Sequence, residues 1–228
     1  MKIAAFDTSS KALTLAILED ETLLAQMTLN IKKNHSITLM PAIDFLMNSL
    51  DMKPKDLDRI AVAQGPGSYT GLRIAVATAK TLAHTLKIEL VGVSSLLALV
   101  PEQVEGLVIP VMDARRNNVY AGFYQSGQAV RPEAHLPLAE VLEIADAANQ
   151  PVTFAGETAA FAEQIEAALP QAAIQSTLPD AVAVGRLGLD LPAQSIHDFV
   201  PNYLKRVEAE ENWLKTHQES SDSYIQRL

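Results

Sequence analysis

The sequence predicts an α/β protein with two lobes, each built on a mixed sheet flanked by helices. Two apolar strand patterns, at residues 3–7 and 107–113, each end at an aspartate that is followed by a polar turn and a returning strand. A third strand, at 59–63, leads through a glycine-rich loop into an alanine-rich helix at 74–86. The chain has 228 residues, 48% of them hydrophobic, which is enough for a substantial core.

Composition excludes several classes of function. The chain has no cysteine, which rules out disulfides, thiolate metal sites and a cysteine nucleophile, and fits a cytoplasmic protein. No apolar run has membrane-spanning length, and Asp7 and Lys11 interrupt the first apolar stretch too early for a signal peptide. The net charge of −9 disfavours stand-alone binding of tRNA, which would need a basic partner or a local patch such as 115–116 or 205–206.

In the first half, strands at 12–18 and 22–29 follow the first aspartate, and a helix is predicted at 35–50. That helix is apolar on two sides, although packing on a sheet buries only one. The helix ending at residue 86 carries small residues that allow close approach. The pair therefore forms either a dimer interface or a fully internal contact. The residues expected at such an interface are His35, Met40, Ile43, Met47, Val76, Ala79, Lys80 and Ala83.

The glycine-rich loop at 65–73 joins a strand to a helix. Its glycines permit positive φ or close backbone approach, and Ser68 or Thr70 can cap the helix. The loop either binds an anion at the helix N-terminus or is simply a capped tight turn. It matches neither the P-loop nor the dinucleotide fingerprint. The residues of interest in this loop are Gly65, Pro66, Gly67, Ser68, Tyr69, Thr70, Gly71 and Arg73.

The polar segment at 101–106 is the predicted domain boundary. It divides the chain into a first lobe (1–103), a second lobe (104–206) and a charged tail (207–228). The second lobe is predicted to contain strands at 107–113, 118–124 and 152–155 and helices at 138–147, 158–169 and 180–189.

We expect neither a catalytic residue nor a metal site. The five histidines are nowhere three or four positions apart, so a helix-borne metal pair is absent. Ser9 and Ser68 are conceivable nucleophiles, but neither has a base nearby in sequence or a G-x-S-x-G elbow around it.

Three segments together resemble one family. Gly-Pro-Gly-Ser-Tyr-Thr-Gly-Leu-Arg at 65–73, Asp-Ala-Arg at 113–115 followed by Val-Tyr, and Pro-Asn-Tyr-Leu at 201–204 are similar to sequences of the TsaB (YeaZ) proteins. The resemblance implies the two-lobed fold of actin-like, sugar-kinase-like and Hsp70-like ATPases. It also implies a candidate nucleotide and magnesium cleft between the lobes. The cleft residues would be Asp7, Thr8, Ser9, Asp113, Arg115 and Gly156.

The resemblance further implies a non-catalytic scaffold in the transfer of threonylcarbamoyl to adenosine 37 of tRNA. The partner would be a catalytic homologue (TsaD, Gcp or Kae1) with a histidine metal pair that this chain lacks. A P-loop ATPase (TsaE) would dock on the heterodimer, and tRNA would be reached indirectly through the complex. Alone, the chain would form a homodimer. No cofactor is assigned, although ATP or ADP with Mg²⁺ at the interface is compatible with the family. The alternatives are an ATPase or small-molecule kinase using the cleft, and a glycoprotease-like peptidase.

Overall fold

Two five-stranded sheets form the framework of the computed structural model, which describes residues 1–31 and 34–205. In the first sheet the strand order is β3-β2-β1-β4-β5, with β1, β4 and β5 parallel and β2 and β3 antiparallel. The central strands are buried on both faces, as their continuous apolar runs predict. The strands are β1 (Lys2–Asp7), β2 (Leu13–Glu19), β3 (Thr22–Leu29), β4 (Arg59–Gly65) and β5 (Glu89–Ser94).

Helices α1 (His35–Ser49) and α2 (Tyr69–Leu86) cover one face of this sheet. The Asn34 side chain caps α1 by accepting from the Ser36 amide (3.1 Å), and Ser68 caps α2. The buried side of α2 is formed by small and apolar residues at helical spacing, so the helix lies close to the sheet. Both helices therefore stand where the sequence predicts them.

The second sheet repeats this arrangement in the order β10-β9-β6-β7-β8. Helices α3 (Leu138–Asp146) and α4 (Ala162–Ala168) cover one of its faces around a core that includes Phe123, Phe154 and Ile165. The strands are β6 (Leu107–Asp113), β7 (Asn118–Gln125), β8 (Gln128–Pro137), β9 (Val152–Gly156) and β10 (Ala173–Ser176).

The last helix, α5 (Ala181–Asp190), returns to the first sheet and covers the face opposite α1 and α2. Gly188 permits this approach, because a Cβ there would lie 2.7 Å from the Cβ of Ala61. Arg59 closes the C-terminal end of α5 by donating to the carbonyls of Leu189 (2.9 Å) and Leu191 (3.1 Å). The boundary predicted at residue 103 separates the two sheets, but α5 lies beyond it and packs with the first sheet. The division into lobes stays a prediction.

After α5, residues 194–204 form what we call the strap, which also lies against the first lobe. The Gln194 amide donates to the Leu90 carbonyl (2.8 Å), and the Asn202 amide donates to the Gln64 carbonyl (2.8 Å). Between them Phe199 is buried in the core beneath α1 and α2. The segment from α5 to the end of the strap thus completes the lobe that the N-terminal residues begin.

Two strands were not predicted, and one helix is shorter than predicted. β8 is an exposed edge strand that contains Pro132, and β10 has only four residues, so neither shows an alternating apolar pattern. The helix predicted at 158–169 is confined to α4. The predicted tail at 207–228 lies outside the described residues. Among the described helices, none is long and apolar enough to cross a membrane.

Candidate functional site

A cleft of about 920 Å³ lies between the two lobes, where β1 and β6 end at their aspartates. The turn after β1 and the loop before α2 form its first wall. The turn after β6 and the start of the segment after β9 form the opposite wall. The lining includes Ser9, Lys11, Ser68, Tyr69, Asp113, Arg115, Gly156, Glu157 and Lys205. The cleft therefore contains four of the predicted cleft residues and three of the glycine-loop residues, together with Lys11, Glu157 and Lys205, which were not among the predicted cleft residues.

The turn after β1 encloses Asp7, which is only 1% exposed. One carboxylate oxygen, Oδ1, accepts from the Ser9 amide (2.6 Å), while Oδ2 has no partner among the described residues. Burial raises the pKa of Asp7 to about 6, and the bond from the Ser9 amide opposes that rise. The Ser9 hydroxyl is also buried without a partner. Oδ2 of Asp7 and the Ser9 hydroxyl thus lack a hydrogen-bond partner among the described residues.

The turn after β6 repeats the same bond in an open setting. Oδ1 of Asp113 accepts from the Arg115 amide (2.8 Å), and Oδ2 pairs with the Arg115 guanidinium (3.0 Å). Arg115, Arg116 and Asn117 all have left-handed backbone conformations, with φ of 69°, 54° and 57°. The matching bonds place the two aspartates at equivalent points of two similar halves.

The glycine-rich loop packs on the turn after β1. The Ser68 amide donates to the Ser9 carbonyl (2.6 Å), and the Thr8 hydroxyl donates to the Gly71 carbonyl (2.8 Å). A Cβ at Gly67 would lie 2.5 Å from the Ser9 carbonyl oxygen, and one at Gly71 would overlap the Thr8 carbonyl. These glycines are required because two backbone segments touch here.

The strap completes this arrangement. Its Tyr203 ring stacks on Tyr69 with a centroid distance of 5.1 Å, and the Tyr203 hydroxyl accepts from Nε of Arg73 (3.2 Å). Gly65 also touches the strap, since a Cβ there would meet the Asn202 carbonyl. Two of the three segments that resemble the family thus lie in direct contact, although more than 120 residues separate them.

Comparison with known proteins agrees with this geometry. A family model described as "TsaD: tRNA N6-adenosine threonylcarbamoyltransferase" matches residues 22–213. A Bacillus subtilis protein named "tRNA threonylcarbamoyladenosine biosynthesis protein TsaB" is 41% identical over 227 residues, which cover 95% of this chain and 99% of that protein. The chain belongs to the TsaB (YeaZ) family.

Other relatives of this TsaB-family chain give the same result. The Escherichia coli TsaB protein is 30% identical over 129 residues, which cover 55% of each chain. The structure of YeaZ from Pseudomonas aeruginosa is 29% identical, has a TM-score of 0.77, and covers 89% of this chain and 99% of its own. The ADPNP-bound activator of 2-hydroxyisocaproyl-CoA dehydratase from Clostridium difficile is 11% identical with a TM-score of 0.50 and covers 97% of this chain and 100% of its own. Its likeness concerns the fold alone, which is that of the actin-like ATPases.

The actin-like fold implies a nucleotide, so we tested whether the first turn fits its phosphates. The Ser9 amide is bonded to Asp7 and the Ala12 amide to the Ser10 hydroxyl (3.1 Å). A phosphate needs such amides free. On the opposite wall the Asp113 amide donates to Glu157 (2.9 Å), and Gly156 packs against β6, where a Cβ would lie 2.6 Å from the Val111 carbonyl oxygen. The amides of Ser9, Ala12 and Asp113 are therefore not available to a phosphate, and we derive no chemical step through a nucleotide.

The candidate nucleophiles have other contacts. The Ser68 hydroxyl accepts from the Gly71 amide (3.3 Å) and so serves as the helix cap. His35, at the start of α1, has its Nε2 bonded to the Ser10 carbonyl (3.0 Å), which ties this helix to the first turn. In the described ranges no three His, Cys, Asp or Glu residues are grouped to hold a metal.

The residues expected at a dimer interface of this TsaB-family chain occupy different positions in the lobe. Met40 is exposed, whereas Lys80 donates to the carbonyls of His197 (3.0 Å) and Phe199 (2.9 Å) in the strap. His35 is half-buried. Sequence reasoning did not assign Ile37 and Phe45 to the interface, although both are exposed, because an α1 that is apolar on two sides does not reveal which side faces the sheet. The core of the first lobe contains Ile43, Met47, Val76, Ala79 and Ala83.

Proposed function

We propose that this chain is a non-catalytic scaffold needed for the transfer of threonylcarbamoyl to adenosine 37 of tRNA, in the cytoplasm. Membership of the TsaB family supports the pathway, since its B. subtilis and E. coli relatives carry that name. The observation that carries the scaffold role is an exposed apolar surface on α1. We call it the docking face and define it as Ile37, Met40 and Phe45.

The docking face is unusual for a helix that already has a buried side. Ile37 is 68% exposed, Met40 46% and Phe45 59%. Their spacing places them along one stripe, opposite the residues that pack on the sheet. Burying such side chains contributes roughly 1.5–3 kcal/mol each, before the costs of association. A partner that covers the stripe would therefore gain a useful share of its binding energy there.

The proposed partner is the metal-bearing catalytic homologue of the TsaD type. The match of a TsaD family model to residues 22–213 supports this, because homologues of one fold can pair through the same helical face. In the absence of that partner the same stripe would pair two copies of this chain. A TsaE-type P-loop ATPase would bind the heterodimer rather than either subunit alone, and tRNA would be recruited by the complex.

The test is co-purification with the TsaD-type homologue after placing a charge on the docking face. Met40→Glu and Phe45→Glu should each weaken pairing at least tenfold, because a carboxylate would be buried without a partner. Val130→Glu is the matched control, since Val130 is an exposed apolar residue on the second lobe. Unchanged pairing in both α1 variants, with native folding shown by circular dichroism, would reject this interface.

The absence of catalysis is tested in a reconstituted tRNA modification reaction. Omitting this chain should abolish or strongly reduce product, and the docking-face variants should reproduce that loss. Ser68→Ala should retain activity apart from the weaker helix cap. Sustained proteolysis by the pure chain, lost in Ser68→Ala, would instead favour the peptidase.

The two unsatisfied atoms of Asp7 and Ser9 favour a second candidate, an ATPase or kinase that uses the cleft. A cation or water held there would complete their bonding. Calorimetry with Mg-ATP distinguishes the two functions. We expect no tight binding, because the neighbouring amides are occupied; tight binding that is lost in Asp7→Ala would support the enzyme.

A further inference from the structure

The strongest unassigned surface lies at the mouth of the cleft, where α2 begins and the strap ends. Three side chains meet there, and we call them the stacking patch: Tyr69, Arg73 and Tyr203. The two rings are 43% and 39% exposed. They are stacked at a 30° angle, and the Arg73 guanidinium lies 4.3 Å from the centre of the Tyr69 ring. Three planar groups are thus arranged together at the surface.

Several cations lie along the cleft beside this patch, together with the carboxylates of Asp113 and Glu157, although the chain as a whole carries −9. Tyr69, Lys11 and Lys205 line the same cleft. Among residues 1–31 and 34–205, no carboxylate forms an ion pair with Arg73, Lys11 or Lys205. The pKa of Arg73 is raised by the hydrogen bond to Tyr203 and by the two tyrosines, not by an acid. These cations are therefore available to an anionic ligand.

We propose that the stacking patch binds an unpaired base of single-stranded RNA, with Arg73, Lys11 and Lys205 contacting the phosphates beside it. This proposal rests on the proposed role in tRNA modification, and it replaces an indirect contact with tRNA by a direct one. Aromatic rings that stack bases, combined with cations that follow the backbone, are the usual elements of a site for single strands. The binding would tolerate different base sequences, because every base has a planar face.

The composition of the patch favours RNA over the other possible ligands. A protein partner resembling the one proposed for α1 would require an apolar surface, whereas this patch contains cations and tyrosine hydroxyls. A mononucleotide bound by the same groups would offer one base and few phosphates, so it would contact only some of Arg73, Lys11 and Lys205. A strand can span both the stack and the cleft wall.

The experiment measures fluorescence anisotropy of a labelled 15-nucleotide oligouridylate with the full chain at low salt. Tyr203→Leu should weaken binding about 5- to 100-fold, the range for loss of one stacked base. Arg73→Gln should weaken it by at least about threefold, because one phosphate contact is lost. Arg131→Gln is the matched control, because Arg131 also lies over a ring, that of Phe123 at 5.8 Å, but in the second lobe. It should leave binding unchanged. Tyr203→Phe keeps the ring and should bind within threefold of the wild type.

Three other results of these measurements would each contradict the proposal. Equal effects of Arg73→Gln and Arg131→Gln would mean general electrostatic attraction. Complete competition by equimolar AMP would assign the patch to a mononucleotide. Intact RNA binding in Tyr203→Leu, with loss of co-purification with the TsaD-type homologue, would assign it to a protein partner. RNA binding is measured without any partner protein. A negative result would therefore not contradict the proposed docking face, and loss of pairing through the docking face would not contradict RNA binding.

Discussion

The Asp7 turn and the Asp113 turn have the same local bond and opposite surroundings. In each, a strand ends at an aspartate whose Oδ1 accepts from the amide two residues later. Asp7 is sealed beneath the glycine-rich loop, while Asp113 is partly exposed and paired with Arg115. The two turns therefore differ in burial, although their local hydrogen bonds match. The first turn is a packing junction that connects α1, α2 and the cleft, whereas the second is held mainly by its own local bonds.

The strongest test of this difference is to separate the first turn from the glycine-rich loop that packs on it. Gly71→Ala should lower the free energy of unfolding by about 3 kcal/mol, because its Cβ would overlap the Thr8 carbonyl and neither backbone can move freely. Urea denaturation measures the loss, and Thr70→Ala, an exposed neighbour, is the control. A change below about 1 kcal/mol would show that the turn and loop are not tightly joined.

The buried carboxyl of Asp7 gives the next largest effect, through pH. Its pKa is raised in the folded protein from 3.8 to about 6, so the protonated form is favoured by folding. Its contribution to stability is fully present below pH 3.8 and is lost as the pH rises through about 6. The loss is about 3 kcal/mol for a shift of this size.

Asp7→Asn should remove this pH dependence, because the amide does not titrate and can still accept from Ser9. The measurement is urea denaturation at pH 4, 5 and 7 on both proteins. Asp113→Asn is the control and should keep the wild-type dependence. Parallel curves for Asp7→Asn and the wild type would show that Asp7 does not titrate in this range.

A third prediction concerns a link between the halves. Glu133 of β8 accepts from the hydroxyl of Ser94 at the end of β5 and from the hydroxyl of Tyr124. Glu133→Ala should cost about 2 kcal/mol, since both hydroxyls would lose a charged acceptor. A double-mutant cycle with Ser94→Ala should give a coupling of about 1 kcal/mol. Glu102→Ala, which removes an exposed ion pair with Arg186, should cost less than about 0.5 kcal/mol.

The smallest effect is expected at the open turn. Arg115→Ala removes the ion pair with Asp113, but the Arg115 side chain is 75% exposed and solvent screens the charges. Thermal unfolding should therefore report a change below about 0.5 kcal/mol. A loss comparable to that of Gly71→Ala would mean that the second turn is as tightly built as the first.

The sequence predicted most of the elements because apolar runs and turn residues are local signals. Both strand-aspartate turns follow from such runs, and Ser68 caps α2 as one of two expected residues. The choice between the sides of α1 could not be made locally. Ile37 and Ile43 are equally apolar, and only the position of the sheet decides which is covered.

The same reason explains what sequence reasoning missed in the site. Lys205 joins the cleft only because the strap crosses the first lobe, and the Tyr69–Tyr203 stack depends on that crossing. Contacts between residues so far apart leave no periodic pattern in the chain. Whether the predicted cleft residues bind a ligand stays a prediction.

The return of α5 and the strap also bears on how the protein is made. During synthesis the first sheet has α1 and α2 on one face, but its other face stays bare until α5 has left the ribosome. Phe199 arrives later still. The lobe encoded first is therefore completed last. A nascent chain stalled before residue 180 would expose an apolar face of the first sheet to solvent and to chaperones.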